Sequence, residues 1–138
     1  RKGEALVGLA GPAANLCMAM VAGVVAWLLY PIAPGLVADS VVFFYFYMVF
    51  LPTFAMINLY LMFFNLLPIP PLDGSSVIAL FLSNKALAKY YRIQQYAMPI
   101  LLAVIILVPY IFHFNPIGMY LNFFGGNLGN LIFPFRIA

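Results

Sequence analysis

Asn65-Leu66-Leu67-Pro68-Ile69-Pro70-Pro71-Leu72-Asp73-Gly74 is the segment at which the second long apolar run of this chain can no longer form a helix. Its three prolines have no N–H to donate, and each disfavours helical geometry in the residue before it. A helix that reaches Asn65 is therefore predicted to break there and to continue as extended chain. Asp73 follows a run from Ser40 to Leu72 that contains no charged residue. Because an ionisable group beside an apolar span is costly to desolvate, Asp73 is a candidate functional residue.

The composition is that of a multi-pass membrane protein. Of the 138 residues, 67% are hydrophobic and only 7% are charged, whereas about 25% of the residues in soluble domains are charged. The formal net charge of +3 comes from scattered cations and not from a basic stripe, so no nucleic-acid partner is expected. The single cysteine, Cys17, excludes a disulfide framework and is expected to be a small packing residue.

Three uncharged stretches approach the roughly 20 residues needed to cross a bilayer. They predict an all-α, polytopic transmembrane helix bundle in which a Pro-broken helix end carries the L-D-G motif of residues 72–74. The helices are expected at about 5–30, 42–65 and 97–114, with an interfacial segment at 75–95, all in one domain of residues 1–138. Pro52 is expected to kink the second helix. The first helix has small residues at four-residue spacing that favour close packing: Ala10 with Ala14, Ala19 with Gly23, and Ala22 with Ala26.

The connections between these helices are less well defined by the sequence. Residues 31–40 contain two prolines and a glycine and are predicted to form a turn. The tail, residues 115–138, is rich in glycine and asparagine among aromatic residues. It is compatible with a re-entrant segment or with one that lies on the surface.

The distribution of Lys and Arg predicts the orientation in the membrane. Arg1–Lys2 precedes the first helix, and the cations of Lys85–Arg92 lie between the second and third helices. Loops rich in Lys and Arg stay on the cytoplasmic side, which puts both groups and Asp73 there, with residues 31–40 and the C-terminus outside. We expect an integral, multi-pass protein of the bacterial plasma membrane, in contact with membrane lipid, whose candidate site at Asp73 faces the cytoplasm.

The spacing of the possible ligands does not predict a complete metal site. A catalytic zinc ion has three protein ligands and one open position. On a straight helix, His113 lies about 24 Å from the start of the third helix, and Asp39 lies in the outer turn. No three ligands are therefore expected to meet. The possible ligands in the sequence are Glu4, Cys17, Asp39, Asp73 and His113.

Two motifs together resemble the site-2 protease family of intramembrane zinc metalloproteases. Gly11-Pro12-Ala13-Ala14-Asn15 reads G-P-x-x-N, and about fifty residues later the segment from Asn65 to Gly74 reads N-x-x-P-x-P-P-L-D-G. The first motif is weak by itself, whereas the second is specific. The resemblance extends from residue 1 to about residue 83.

The resemblance implies hydrolysis of peptide bonds in or near the transmembrane segments of a protein substrate. In the family, the aspartate of L-D-G and two histidines of an H-E-x-x-H helix hold the zinc, and the glutamate of that helix is the general base. Asp73 matches the aspartate, Asn65 would contact the oxyanion or the substrate, and Asn15 would support the same cavity. The sequence contains no H-E-x-x-H. We expect one Zn²⁺, two histidine ligands upstream of Arg1, and an incomplete, inactive fragment; a degenerate homologue is the alternative.

Each of these residues also has a simpler interpretation. Asp73 in the sequence Asp-Gly-Ser-Ser is a good helix N-cap, and the two asparagines could only bond neighbouring helices. Gly11–Pro12 could be a helix entry or a kink. Glu4, His113 and the Lys85–Arg92 face could be merely solvated or interfacial. For the whole chain, the alternative function is a non-catalytic membrane module, a transporter segment or scaffold whose broken helix lines a cavity.

Overall fold

The structure is a computed structural model that describes residues 2–67, 72 and 74–138. That part of the chain is predominantly helical and contains no strand, which confirms the all-α prediction. The proline-rich lead-in, residues 68–71, and the L-D-G aspartate, Asp73, lie outside the described residues. The elements in chain order are α1 (Lys2–Leu29), α2 (Ala33–Asp39), α3 (Val41–Phe44), a π-helical turn (Tyr45–Phe50), α4 (Leu51–Asn65), α5 (Gly74–Ile78), a 3₁₀ turn (Ala79–Phe81), α6 (Asn84–Gln94), α7 (Ala97–Phe112), α8 (Pro116–Leu121), a second π-helical turn (Asn122–Gly126) and α9 (Asn127–Ile132).

Two helices of the described chain are long and apolar enough to cross a membrane, Lys2–Leu29 and Val41–Asn65. The second of these runs through α3, the first π-helical turn and α4, and is called the second span below. Helices α6 and α7 pass the same test only as a pair, which is bent by 65°. By length and composition, the described part of the chain therefore has two helices that could cross a membrane, or three if the bent pair is one span.

Helix α1 and the second span form an antiparallel pair with a core of small and apolar residues. At the start of the second span, the Tyr47 hydroxyl donates a 3.0 Å hydrogen bond to the carbonyl of Ala26, which lies near the end of α1. Small residues allow helix backbones to approach closely in lipid, and Leu59 fills the remaining space as a fully buried side chain. The core includes Ala19, Ala22, Ala26, Leu51, Ala55 and Leu59.

The predicted small-residue pairs of α1 divide between two faces of the helix. Two pairs, Ala19 with Gly23 and Ala22 with Ala26, are buried, as expected. Ala10 and Ala14 are exposed, because at about 100° per residue they point away from the face that carries Ala19. Cys17 lies on the same outer side and is exposed, so the prediction that it is a packing residue is wrong for this chain.

Two sequence-based expectations about helix boundaries are corrected. Of the two interpretations of Gly11–Pro12, a helix entry or a kink, the helix entry is excluded, because α1 begins at Lys2 and Pro12 lies buried within it. The predicted turn at 31–40 contains the short helix α2, which has a proline in its first turn, where no intrahelical N–H bond is lost. Ser40 ends α2 and its hydroxyl accepts a hydrogen bond from the backbone N–H of Phe43, which caps α3.

The irregularity expected at Pro52 takes the form of the π-helical turn Tyr45–Phe50. Leu51 donates its backbone N–H to the carbonyl of Phe46, five residues earlier. A proline inside a helix has no N–H and its ring crowds the carbonyl four residues before it. Widening the preceding turn is one known way to relieve that crowding without ending the helix.

The tail, for which the sequence left two placements open, is a helix that packs along both spans. Residues 116–132 keep helical geometry through α8, the second π-helical turn and α9. The tail helix starts where the Tyr120 hydroxyl donates to the carbonyl of Phe63, at 2.9 Å, near the end of the second span. It finishes where Trp27 Nε1 donates to the carbonyl of Ile132, at 2.8 Å. The tail helix therefore runs antiparallel to the second span.

Glycines give the tail helix its close approach to the spans. A Cβ at Gly125 would meet the ring of Tyr60 at 2.8 Å, and one at Gly129 would meet the sulfur of Met56 at 2.8 Å. On the facing helix, a Cβ at Gly23 would overlap the Ile132 side chain. The absence of side chains at these positions lets the tail helix lie in the groove between α1 and the second span.

The bundle has two ends, which are named here by a residue at each. The Trp27 end carries the last turn of α1 and the start of the second span. The Gly74 end carries the N-terminus of α1 and the last turn of α4. Gly74 packs against the backbone of Leu66, and Ser76, two residues later, lines a cavity with Glu4.

Both ends of α7 connect to the Gly74 end. Helix α6, which precedes it, contacts the start of α1 through a 3.4 Å hydrogen bond from the Tyr91 hydroxyl to Glu4. After α7, His113 ends the helix in a left-handed conformation with φ of 57°, and the chain enters the tail helix beside Phe63. The segments before and after α7 are therefore both hydrogen-bonded at the Gly74 end.

Candidate active site

The second span ends at Asn65, where the sequence predicts a break. Leu66 still donates its N–H to the carbonyl of Met62, and Leu67 donates to the carbonyl of Phe64 at 3.2 Å, so the last turn tightens before the helix stops. Asn65 is partly buried in this last turn. The side chain proposed to contact the oxyanion or the substrate is thus fixed to a regular helix and is not on a loop.

Gly74 brings the chain back against the end of the second span. A Cβ at this position would overlap the carbonyl group of Leu66 and press on the carbonyl oxygen of Leu67. Both obstacles are backbone atoms of a helix end, which cannot swing aside as a side chain could. Space, and not backbone conformation, therefore requires the glycine of the L-D-G motif.

The described residues on either side of Asp73 belong to a closed, buried turn. Leu72 and Ser75 are 8% and 7% exposed. The backbone N–H of Ser75 donates to the Leu72 carbonyl at 3.1 Å, and its hydroxyl donates to the same oxygen at 2.7 Å. Two hydrogen bonds to one carbonyl stabilise the loop that carries the motif.

A polar cavity adjoins this turn at the Gly74 end. It has a volume of about 250 Å³ and lies between the start of α1, α5 and α6. The Tyr90 hydroxyl donates to the Ser75 carbonyl at 3.4 Å, and the Tyr91 hydroxyl donates to Glu4 Oε2 at 3.4 Å. Desolvation by burial raises the pKa of Tyr90 above its ordinary value of 10.0. Helix α6 is thereby attached to both the motif turn and α1.

Asn15, the last residue of the G-P-x-x-N motif, lies on the face of α1 that is turned toward the bundle. It is four residues before Ala19, which is fully buried, and it is itself partly buried. This position is compatible with its predicted support of a cavity. That role stays a prediction.

The described residues do not form a zinc site by themselves. Within residues 2–67, 72 and 74–138, no three His, Cys, Asp or Glu side chains are close enough together to hold a metal ion. Glu4 is at the Gly74 end, whereas Asp39 ends α2 near the opposite end of the bundle. His113 and Cys17 are both exposed. Asp73 lies outside the described residues, so the donors that the structure does describe do not fit the metal.

The polar lining of the cavity was missed by reasoning from the sequence. The α6 segment was interpreted as a cationic interfacial helix. Glu4 was interpreted as a solvated charge, and it is exposed in the structure. The signal was present in the helical period of α6, because Tyr90, Tyr91 and Gln94 share the side opposite to its cations. The sequence did not show that this side of α6 faces Glu4 and Ser75.

These observations define an integral membrane protein of packed helices whose second span ends at Asn65, beside the buried Leu72 and Gly74. Residues 36–108, just over half of the chain, match the family model described as Peptidase family M50. The chain belongs to peptidase family M50, the site-2 protease family, which confirms the resemblance seen in the sequence. The match includes the motif of residues 65–74 but not the G-P-x-x-N segment. No curated protein and no solved structure matches the chain.

Proposed function

We propose that this chain is part of a zinc-dependent intramembrane endopeptidase that hydrolyses peptide bonds in or near transmembrane segments. The observation that carries the proposal is membership of peptidase family M50, a family of zinc metallopeptidases. The second observation is the position of the motif. A glycine-dependent turn returns the chain to the broken end of an apolar span, where irregular backbone is tolerated only if protein or a wet cavity satisfies it.

Asp73 is proposed as one of three protein ligands of the zinc ion. The two buried neighbours, Leu72 and Gly74, are fixed by hydrogen bonding and by packing, and so they offer a rigid support for a ligand between them. The other ligands would be the two histidines of an H-E-x-x-H helix, which this sequence lacks. The isolated 138-residue chain is therefore proposed to be inactive.

The asparagines are proposed to act on the substrate side. Asn65 is on the last turn of the second span, at the same helix end that Gly74 contacts. An amide there can donate to an extended substrate segment or to a developing oxyanion. Asn15, on the inward face of α1, is proposed to support the same cavity.

The Gly74 end is proposed to face the cytoplasm of a bacterial cell. The cations of α6 lie at this end, and cytoplasmic loops carry an excess of Lys and Arg. The proposed partners are membrane lipid and a transmembrane protein substrate.

The experiment is cleavage of a membrane substrate by the full-length protein and by its Asp73→Asn and Asp73→Ala variants. Both variants are expected to lose cleavage, because neither amide nor methyl replaces a carboxylate ligand. Asp39→Asn is the matched control, since Asp39 is exposed and lies at the end of α2, away from the motif. Wild-type turnover in Asp73→Asn would contradict the proposal. A folded full-length protein that neither binds zinc nor cleaves would favour the non-catalytic membrane module.

A further inference from the structure

The polar cavity at the Gly74 end has the chemistry of a binding subsite. Its volume of about 250 Å³ has room for one long side chain. Its lining is rich in hydrogen-bonding groups although it adjoins a strongly apolar bundle. The polar residues that line it are Glu4, Ser75, Ser76, Tyr90, Tyr91 and Gln94.

The described lining of the cavity carries one negative charge. Among the lining residues that the structure describes, Glu4 is the only Asp, Glu, Lys, Arg or His. The cations of α6, at 85, 89 and 92, recur at a spacing that places them together on one face of that helix, and Tyr90, Tyr91 and Gln94 lie on the opposite face. Helix α6 therefore presents hydroxyl and amide groups to Glu4 and keeps its positive charges away from it.

The cavity lies beside the motif that the proposed function uses. Ser75 lines the cavity and is two residues after Asp73 in sequence, and its hydroxyl and N–H close the turn on Leu72. The Tyr90 hydroxyl, on α6, donates a hydrogen bond to the carbonyl of Ser75. A substrate segment that reaches the motif turn can therefore place a neighbouring side chain in the cavity.

We propose that this cavity is a subsite for a Lys or Arg side chain that flanks the cleaved bond of a transmembrane substrate. The inference rests on the proposed function. An ammonium or guanidinium group offers only donors, which matches a carboxylate together with carbonyl, hydroxyl and amide oxygens. Transmembrane segments carry Lys and Arg beside their cytoplasmic ends, which is the side on which the Gly74 end is proposed to lie. Glu4 is thus a specificity-determining residue.

The test is a charge exchange between enzyme and substrate. The full-length protein and its Glu4→Gln and Glu4→Lys variants are assayed on one transmembrane substrate that carries Lys, Ala or Glu at each position flanking the cleaved bond. Bilayers of phosphatidylcholine and phosphatidylglycerol are used, because neither lipid has a primary amine that could occupy the cavity. At one flanking position, Glu4→Gln is expected to raise KM for the Lys substrate about fivefold, the effect of one partly exposed ion pair. The kcat should not change.

The Ala substrate provides the internal control, because it has no charge to lose. Its KM should be the same for wild type and Glu4→Gln, and a Lys89→Gln variant, altered on the opposite face of α6, should behave as wild type on all three substrates. Glu4→Lys should reverse the order, so that the Glu substrate has the lower KM. Bound zinc and cleavage of the Ala substrate show in each variant that the protein is folded.

Two outcomes would overturn the inference, and they are distinguishable. If the wild type cleaves but no Glu4 variant changes the order of the Lys, Ala and Glu substrates at any position, the subsite is wrong and the proposed function stands. If the zinc-loaded wild-type protein cleaves none of the substrates, the proposed function fails and the subsite fails with it.

Discussion

At the scale of single residues, Gly74 packs tightly against the backbone of Leu66, and Ser75 forms hydrogen bonds with Leu72. The sequence predicts these contacts only in part. The prolines predicted the end of the second span, and α4 does end at Asn65. The sequence did not predict why a glycine must follow Asp73, because the obstacle is the backbone of Leu66, eight residues earlier. Local chemistry thus predicts where the helix stops, and tertiary contact explains which residue can follow.

Replacing Gly74 by alanine is expected to damage the motif turn. The added Cβ would overlap the Leu66 carbonyl group, and a forced fit of this kind costs about 1–3 kcal/mol. Thermal unfolding of the full-length protein in detergent should shift to lower temperature, and cleavage should fall with it because the turn carries Asp73. Gly35→Ala is the matched control. Gly35 lies in helix α2 with open space around it, so alanine should leave stability unchanged or raise it by up to about 1 kcal/mol. Equal unfolding temperatures for the Gly74→Ala variant and the wild type would contradict the packing described.

At the scale of helices, the long periodic segments were predictable and the connections were not. The expected helices at 5–30 and 42–65 correspond to Lys2–Leu29 and Val41–Asn65 in the structure, a difference of a few residues at the ends. The π-helical turn before Pro52 and the helix α2 were not predicted, because both depend on how local irregularity is relieved within a packed pair. The docking of the tail helix was also left open. Its glycines were visible, but the side chains that Gly125 and Gly129 face on the second span, Tyr60 and Met56, lie far away in the chain.

The path of α7 gives a prediction about sidedness. Because both of its ends connect to the Gly74 end, residues before and after it should be reached from the same side of the membrane. In a Cys17→Ala background, single cysteines are placed at exposed positions by Lys85→Cys, Phe114→Cys and Ala38→Cys. A membrane-impermeant maleimide should label positions 85 and 114 from one side and position 38, in α2, from the other. Labelling of position 114 together with position 38 would show instead that α7 crosses the membrane.

At the scale of the whole molecule, family membership and an incomplete donor set have to be considered together. The motif of residues 65–74 predicted the family, and the match over residues 36–108 confirms it. The described residues nevertheless bring no three metal-binding side chains together. The one histidine of the sequence, His113, is exposed at the end of α7, so the two histidine ligands stay a prediction. The account therefore depends on Asp73 being a ligand in a larger site.

The most direct test is the zinc content of the full-length protein and of its Asp73→Asn and Asp39→Asn variants, purified in parallel and measured by atomic emission together with thermal unfolding. The account predicts one zinc ion per chain in the wild type and in Asp39→Asn, and a large loss of zinc in a folded Asp73→Asn protein, because a carboxylate ligand has been replaced by an amide. Full zinc occupancy in Asp73→Asn would contradict the account.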